Sequence, residues 1–178
     1  FSLGYWKKID KQDIDRIRLG IVNFHHSYEL KFRGRHCSTW AIIHKEKFHG
    51  STIHFIDEKI DEGKIIDSDY FKILDSDVAE TIFKKSNEVG YSLLKKNFYK
   101  IINQRTMEYK PTIMKNYTYK AKDLVHEIQL TDDEESLLRQ IRSLTFDKMP
   151  APYLLLNNRK VYLKLDDYDS GKCNKRII

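Results

Sequence analysis

The chain of 178 residues has little cysteine, no long apolar run and no block of charge of one sign, and each scarcity excludes something. Its two cysteines, Cys37 and Cys173, lie far apart and form no Cys-x-x-Cys pair. That spacing argues against a disulfide framework and a thiol-rich zinc site, and it fits a reducing cytoplasm. No apolar stretch approaches the ~20 residues needed to cross a bilayer. The opening FSLGYWKKID lacks the ordered basic, apolar and small-residue blocks of a signal peptide. It also has no initiator Met and begins as if at the end of a strand, so a natural N-terminus is expected upstream. Net charge is +6, but Lys and Arg alternate with Asp and Glu without a long basic run. The surface therefore reads as solvated, with neither a nucleic-acid stripe nor a membrane face.

What is present is a core and an alternating pattern. Hydrophobic residues make up 40%, enough for one medium domain or a domain with a small appendage. FSLGYW reads as a strand entering a glycine turn, KKIDKQDIDRIR as a short polar helix or loop, and LGIVNFH as a short buried strand. ELKFRGRHCS reads as a loop punctuated by Gly34, and TWAIIHKE as a helix closed by Gly50. STIHFID alternates as a strand, with Ile53 and Phe55 opposite Thr52, His54 and Ile56. EKIDEGK is a turn and IIDSDYFKIL a further strand or strand pair. Asp77 and Glu80 have capping-box spacing ahead of a long amphipathic helix that runs past Ile102. TMEYKPTIMKNYTYKAKDL is irregular and rich in tyrosine. Thr131 and Glu134 form a second box before DDEESLLRQIRSL, and PYLLLNNRKVYLKL is a hairpin turning at Asn157 and Asn158. The pattern predicts an α/β layer over 1–105 and a C-terminal helix with a β-hairpin over 106–178.

Residues 23–66 hold six of the seven histidines, yet His26, His36, His44 and His49 share no face or ligand spacing, and no metal site is expected. Ligands of open α/β sheets sit at the carboxyl ends of strands. Asn23 and His25 leave such an end, on one face of an extended segment, and Asp61 follows the next strand. Asn offers an amide donor for a developing oxyanion, His takes a proton near neutral pH, and Asp orients it. On spacing alone, Asn23 as a turn cap and His25 as a satisfied, half-buried histidine is the better reading. Arg33, beside Gly34, is read either as a phosphate contact or as a loop arginine, and Arg35 as a loop arginine. Trp40 is a candidate substrate contact or a packing residue. His54, mid-strand beside the site, is on the substrate side or in the packing. Tyr109, Tyr117 and Tyr119 could stack on a base or belong to a tyrosine-rich surface.

NFHHS, FRGR, WAI, GSTIHFID and IDEGKII occur in this order with short gaps. Together they resemble the folate-dependent formyltransferase family, with its Asn-x-His-x-Ser, Arg-Gly loop, Trp-bearing helix, Gly-x-Thr-x-His and Asp-x-Gly-x-Ile-Ile. The closing RSLTFDKMPAPYLLLNNRKVYLKL is similar to the branch that formylates amino sugars on nucleotide carriers. The resemblance implies a Rossmann-like catalytic domain whose N-terminal part is missing here. It implies Asn23, His25 and Asp61 as the catalytic trio, and N10-formyltetrahydrofolate, contacted through Asp57, Ile60 and Gly63, as co-substrate without a metal. The acceptor it implies is a nucleotide-linked amino sugar, dTDP-linked, for surface polysaccharide synthesis in the cytoplasm, by a homodimer joined through the hairpin and independent of nucleic acid and membrane. Two departures stand out: YELKF lacks the family's Leu-Pro pair, and Glu62 and Lys64 flank Gly63 where Thr and Asp are usual. A methionyl-tRNA formyltransferase and a non-catalytic dimerising module are the alternative readings.

Overall fold

The structure, a computed structural model, describes residues 1–3, 7, 9–103, 116–131 and 133–165. Its main sheet has the order β1-β2-β4-β5, formed by Ser2–Leu3, Val22–His25, Phe48–Phe55 and Ile65–Lys72. β1 runs parallel to β2, and the remaining pairs are antiparallel. A short helix α1, Lys11–Arg16, precedes β2 and buries no residue, as its polar sequence predicts.

β4 is buried on both faces although its sequence alternates. Ile53 and Phe55 pack with Val22, Ile66 and Leu93 beneath helix α3, Ala79–Ile102. On the same side the Ser51 hydroxyl donates to Ser86 O on that helix at 2.6 Å. Thr52 points the other way and donates to Ser27 O at 2.6 Å. Ser51 and Thr52 are tolerated inside because each finds a partner. Gly50 does not close the preceding helix but lies within β4, where a Cβ would run into the backbone at Asp69 and Tyr70.

ELKFRGRHCS, expected to be a loop, contains strand β3, Phe32–Gly34, and the start of helix α2, Cys37–Ile43. β3 pairs in parallel with β6, Tyr117–Tyr119, from the stretch expected to be irregular. Phe32, Cys37 and Ala41 form a second core cluster there, with Trp40, Tyr117 and Tyr119 against it. The expected boundary at 105/106 lies outside the described residues.

Neither expected capping box forms. α3 has Val78 at its N-cap, and the Asp77 carboxylate instead accepts from Leu74 N–H at 2.8 Å and pairs with Lys85 at 2.6 Å. Thr81 supplies the reciprocal bond to Val78 N–H, and Glu80 accepts from Asp147 N–H at 3.0 Å. Helix α4, Glu134–Leu144, begins after Asp133 rather than at Thr131. Its Arg142 donates to Asp77 O at 2.7 Å and Leu74 O at 2.9 Å, which anchors α4 to the start of α3. The hairpin forms as expected, with β7 at Tyr153–Leu156 and β8 at Arg159–Tyr162, and both turn asparagines at positive φ. Leu154 joins Ile128, Ile141 and Leu144 in a separate core cluster.

Gly90 of α3 faces Phe24, whose ring occupies the place a Cβ would take. Alanine gains up to about 1 kcal/mol in helix propensity, whereas overpacking costs about 1–3 kcal/mol. Gly90→Ala is therefore expected to lower the urea midpoint, and a raised midpoint would show that the Phe24 ring yields freely.

Candidate active site

The register of β2 on β4 places Asn23 opposite His54 and His25 opposite Thr52. Cross-strand partners are close enough for their side chains to meet. His54 Nδ1–H donates to Phe55 O at 2.8 Å, so its Nε2 is free to accept, and Asn23 Nδ2 lies 3.2 Å from it. That contact orients the Asn23 amide and leaves a second N–H available. The register of β4 on β5 shifts between Ile53 and His54, a bulge that sets the direction of the His54 side chain.

The loop after β4 returns through Phe55 N–H to Lys64 O at 2.9 Å, and within it Asp61 adopts φ +50°. Asp tolerates this left-handed conformation better than most residues. Gly63 makes the loop possible, because a Cβ there would strike the Phe55 carbonyl. The Asp61 carboxylate accepts from Gly34 N–H at 2.8 Å and lies 3.5 Å from His25 Nδ1 and 3.6 Å from His54 Nε2. Burial pushes this carboxyl up, but His25, His54 and the Gly34 N–H outweigh it and hold Asp61 well below the usual carboxylate range.

His25 donates from Nε2 to Phe32 O at 2.6 Å. Its Nδ1 then faces Asp61, and a second proton on the ring would sit between the two. Burial lowers the His25 pKa, against the opposing pull of Asp61 and Phe32 O. Burial thus favours the neutral imidazole beside the ionised carboxylate, and Asp61 favours the protonated one. Cys37 Sγ lies 3.5 Å from His25 Nε2, and burial pushes its thiol far up, so it stays protonated.

Asn23, His25, His54 and Asp61 all line one cavity of about 560 Å³, a volume in the range of small-ligand sites. Asp57 and Ile60 stand at its edge. Gly63, Trp40 and Arg33 are not part of its wall. Trp40 instead stacks on Tyr119 with ring centroids 3.8 Å apart, and Arg33 pairs with Glu62 at 2.9 Å. Arg35, read from sequence as a loop residue, is the arginine in the wall, with Lys7, Lys59 and Lys120 around the same cavity. These cations come from segments remote in sequence, so no local signal marks them. His26 was also passed over. It lines the cavity, stacks on Phe83 at 4.5 Å and bonds Asn87 Oδ1 at 2.9 Å, and burial lowers its pKa to about 4. Tyr119 forms wall too, its hydroxyl 2.5 Å from His44 Nε2, and Tyr109 lies outside the described residues. Among the described residues no cluster of His, Cys, Asp and Glu could hold a metal ion. None of their helices is long and apolar enough to cross a membrane.

Comparison with known proteins identifies the family. The methionyl-tRNA formyltransferase of Clostridium tetani is 37% identical over 94 residues, 53% of this chain and 30% of that enzyme. A 4-N formyltransferase from Francisella tularensis shares the fold, with a TM-score of 0.83 at 20% identity over 92% of this chain and 68% of that one. The N-formyltransferase of Helicobacter canadensis, solved with folinic acid and dTDP-3-aminofucose, gives a TM-score of 0.68 at 28% identity over 79% of this chain and 52% of that one. The chain spans about half or less of the length of the curated relatives it matches. A family profile described as formyl transferase matches residues 2–97, more than half of the sequence, and this chain belongs to the formyl transferase family.

Proposed function

We propose that the Asp61-centred array is the formyl-transfer centre of a folate-dependent N-formyltransferase whose acceptor is the primary amine of a dTDP-linked amino sugar. The observation that carries this reading is one ionised carboxylate facing His25 Nδ1 and His54 Nε2, with the Asn23 amide beside them in the cavity wall. The solved relative holding folinic acid and dTDP-3-aminofucose supports the choice of both ligands. Ile56 and Ile60 give the cavity an apolar edge next to the Asp57 carboxylate, a fit for a flat heteroaromatic donor. Arg35, Lys59 and Lys120 fit the phosphates of a nucleotide-linked acceptor. The natural setting is the cytoplasm, in the supply of formylated sugars for surface polysaccharides.

N10-formyltetrahydrofolate supplies an activated formyl carbon. As the acceptor amine bonds to that carbon, negative charge grows on the formyl oxygen, and the second N–H of Asn23 is the donor placed to meet it. His25 takes the proton shed by the amine at Nδ1, and the imidazolium so formed is paired at once with Asp61. The proton then passes to the departing folate nitrogen as the C–N bond breaks, which returns His25 to its neutral state. Positioned general bases contribute about 100- to 10,000-fold, and a single oxyanion donor about 2.7–4 kcal/mol.

The hairpin supports a homodimer. Leu155 and Tyr162 are exposed on one face of its two strands and Leu156 and Val161 on the other, and exposed apolar side chains of this kind suit an interface. Light scattering of the full-length protein should give a dimer, and Leu156→Lys with Val161→Lys a monomer. A wild-type monomer at high concentration would refute this assignment.

Full-length protein with N10-formyltetrahydrofolate and a panel of dTDP- and UDP-amino sugars should yield a formylated sugar, followed by mass spectrometry. Asn23→Ala should lower kcat by about 100- to 1,000-fold. Formylation of charged initiator tRNA with no sugar product would transfer the reading to the methionyl-tRNA branch, and near-normal turnover in Asn23→Ala, His25→Ala and Asp61→Ala alike would remove the trio.

The pH profile carries its own sign. Burial lowers the His25 pKa while Asp61 raises it. Asp61→Asn removes the raising partner, so the acid limb of kcat/KM should move to lower pH while the plateau falls. A limb that stays in place or moves up would show that Asp61 does not act on His25.

A further inference from the structure

We infer that a second cavity, on the far side of Phe32 from His25, binds a nucleoside phosphate and acts on His25 through that residue. The cavity has a volume of about 510 Å³ and shares no lining residue with the first. Segment 27–32 walls one side, the turn Lys45-Glu46-Lys47 another, and Tyr70 of β5 closes it.

Its chemistry is that of a base and a phosphate together. Tyr28 and Phe48 meet Tyr70 edge-on, with centroids 5.1 and 5.5 Å away. Phe48 is 51% and Tyr70 53% exposed, unusual for large rings around a concave site. Such rings offer faces to a planar base without demanding one sequence of donors and acceptors. Of the three lysines in the wall, Lys31 is paired with Glu46 at 2.6 Å, which also accounts for the one carboxylate. Lys45 and Lys47 are exposed and pair with no carboxylate among the described residues. Ammonium groups beside aromatic faces suit an anionic aromatic ligand and no neutral one. His49 completes the wall, buried, with its Nε2 lacking a hydrogen-bond partner among the described residues.

The link to the first cavity is short. The Phe32 ring lines the second cavity while its carbonyl accepts the His25 Nε2–H at 2.6 Å. Its N–H donates to Ser27 Oγ at 2.8 Å, and Ser27 lines the second cavity as well. Between them Glu29 and Leu30 are consecutive non-glycine residues at φ 47° and 54°. Residues held in that region store strain, and the burial of Leu30 is what retains it. A ligand pressing on Phe32 thus acts on a strained segment, and any movement of the carbonyl is felt at His25.

The test needs no turnover, so its failure is distinct from failure of the formyl-transfer reading. Full-length protein is titrated calorimetrically with dTMP, UMP and AMP, with adenosine and inorganic pyrophosphate as half-ligands and a dTDP-amino sugar as a separate arm. The His25 ring is followed by nitrogen-15 NMR in the same titrations. Nucleotides should bind saturably and more tightly than either half-ligand, and should shift the His25 resonances. Lys45→Glu with Lys47→Glu, and separately Tyr70→Ala, should weaken binding at least tenfold and abolish the shift, with circular dichroism unchanged. Lys100→Glu, exposed near the end of α3 and outside both cavities, should leave nucleotide binding as it is. Tight binding of the dTDP-amino sugar alone would make the ligand a sugar nucleotide and overturn the assignment to free nucleotides. The site is refuted if no nucleotide saturates at millimolar concentration, or if binding survives the lysine and tyrosine changes but is lost in Lys120→Glu, in the first cavity. Binding without any change at His25 would refute the coupling.

Discussion

Asp61 is ionised and its side chain only 13% exposed, and three segments remote in sequence must each supply it with a partner. A carboxylate moved out of water is costed at several kcal/mol unless hydrogen bonds and opposite charge replace the solvent. Gly34 N–H from β3 supplies the hydrogen bond, and His25 from β2 and His54 from β4 bring ring nitrogens to 3.5 and 3.6 Å, where a proton taken up by either ring faces the carboxylate. The requirement explains features that otherwise look unrelated. Asp61 reaches the site only because its loop turns through a left-handed residue and because Gly63 lets the chain pass the Phe55 carbonyl. Gly34 is likewise the residue whose missing side chain permits close passage of Tyr119, which keeps β3 within reach of the carboxylate.

The same segment serves two surfaces. β3 and the turn before it receive His25 on one side through Phe32 O and bound a separate cavity on the other through the Phe32 ring. Thr52, on the opposite strand, holds Ser27 from below. The element is held by its pairing with β6 and by the burial of Leu30 and Phe32 as well as by these bonds. The departure from the family pattern, YELKF without its Leu-Pro pair, falls here, and so do the two non-glycine residues at positive φ. Proline would have preset one φ and removed a donor. Without it, burial of Leu30 rather than a ring constraint holds the turn.

Strong periodicity was legible and short elements were not. β2, β4, α3, α4 and the hairpin carry enough residues for a period of two or 3.6 to emerge, and all appear where the pattern puts them, with shifted ends. β3 and β6 have three residues each, too few for any period, and they stabilise one another only after the chain has returned from far along the sequence. Both capping boxes failed for one physical reason. The Asp77 carboxylate satisfies the turn before it and Lys85, leaving Thr81 to close the helix, and spacing alone cannot tell which competing donor a carboxylate will accept. In the site, Asn23, His25 and Asp61 were legible as residue types at strand ends. The choice of Arg33 over Arg35 was not, because Arg33 lies beside Glu62 only once β3 and the Asp61 loop have come together.

The histidine crowding now has a physical account without a metal. Imidazole is a flat ring that is neutral when buried and carries one donor and one acceptor, so it can pack as an aromatic and still satisfy a polar neighbour. His26 stacks on Phe83 and bonds Asn87, and His44 bonds the Tyr119 hydroxyl beside Tyr117. His49 is lowered to about 3 by burial, which keeps it uncharged next to His26 and His25. That neutrality matters to the proposed mechanism. A positive charge at either neighbour would compete with His25 for the Asp61 carboxylate and would lower the basicity of the ring proposed to take the proton. Burying His26 and His49 uncharged leaves Asp61 to act on His25 and His54.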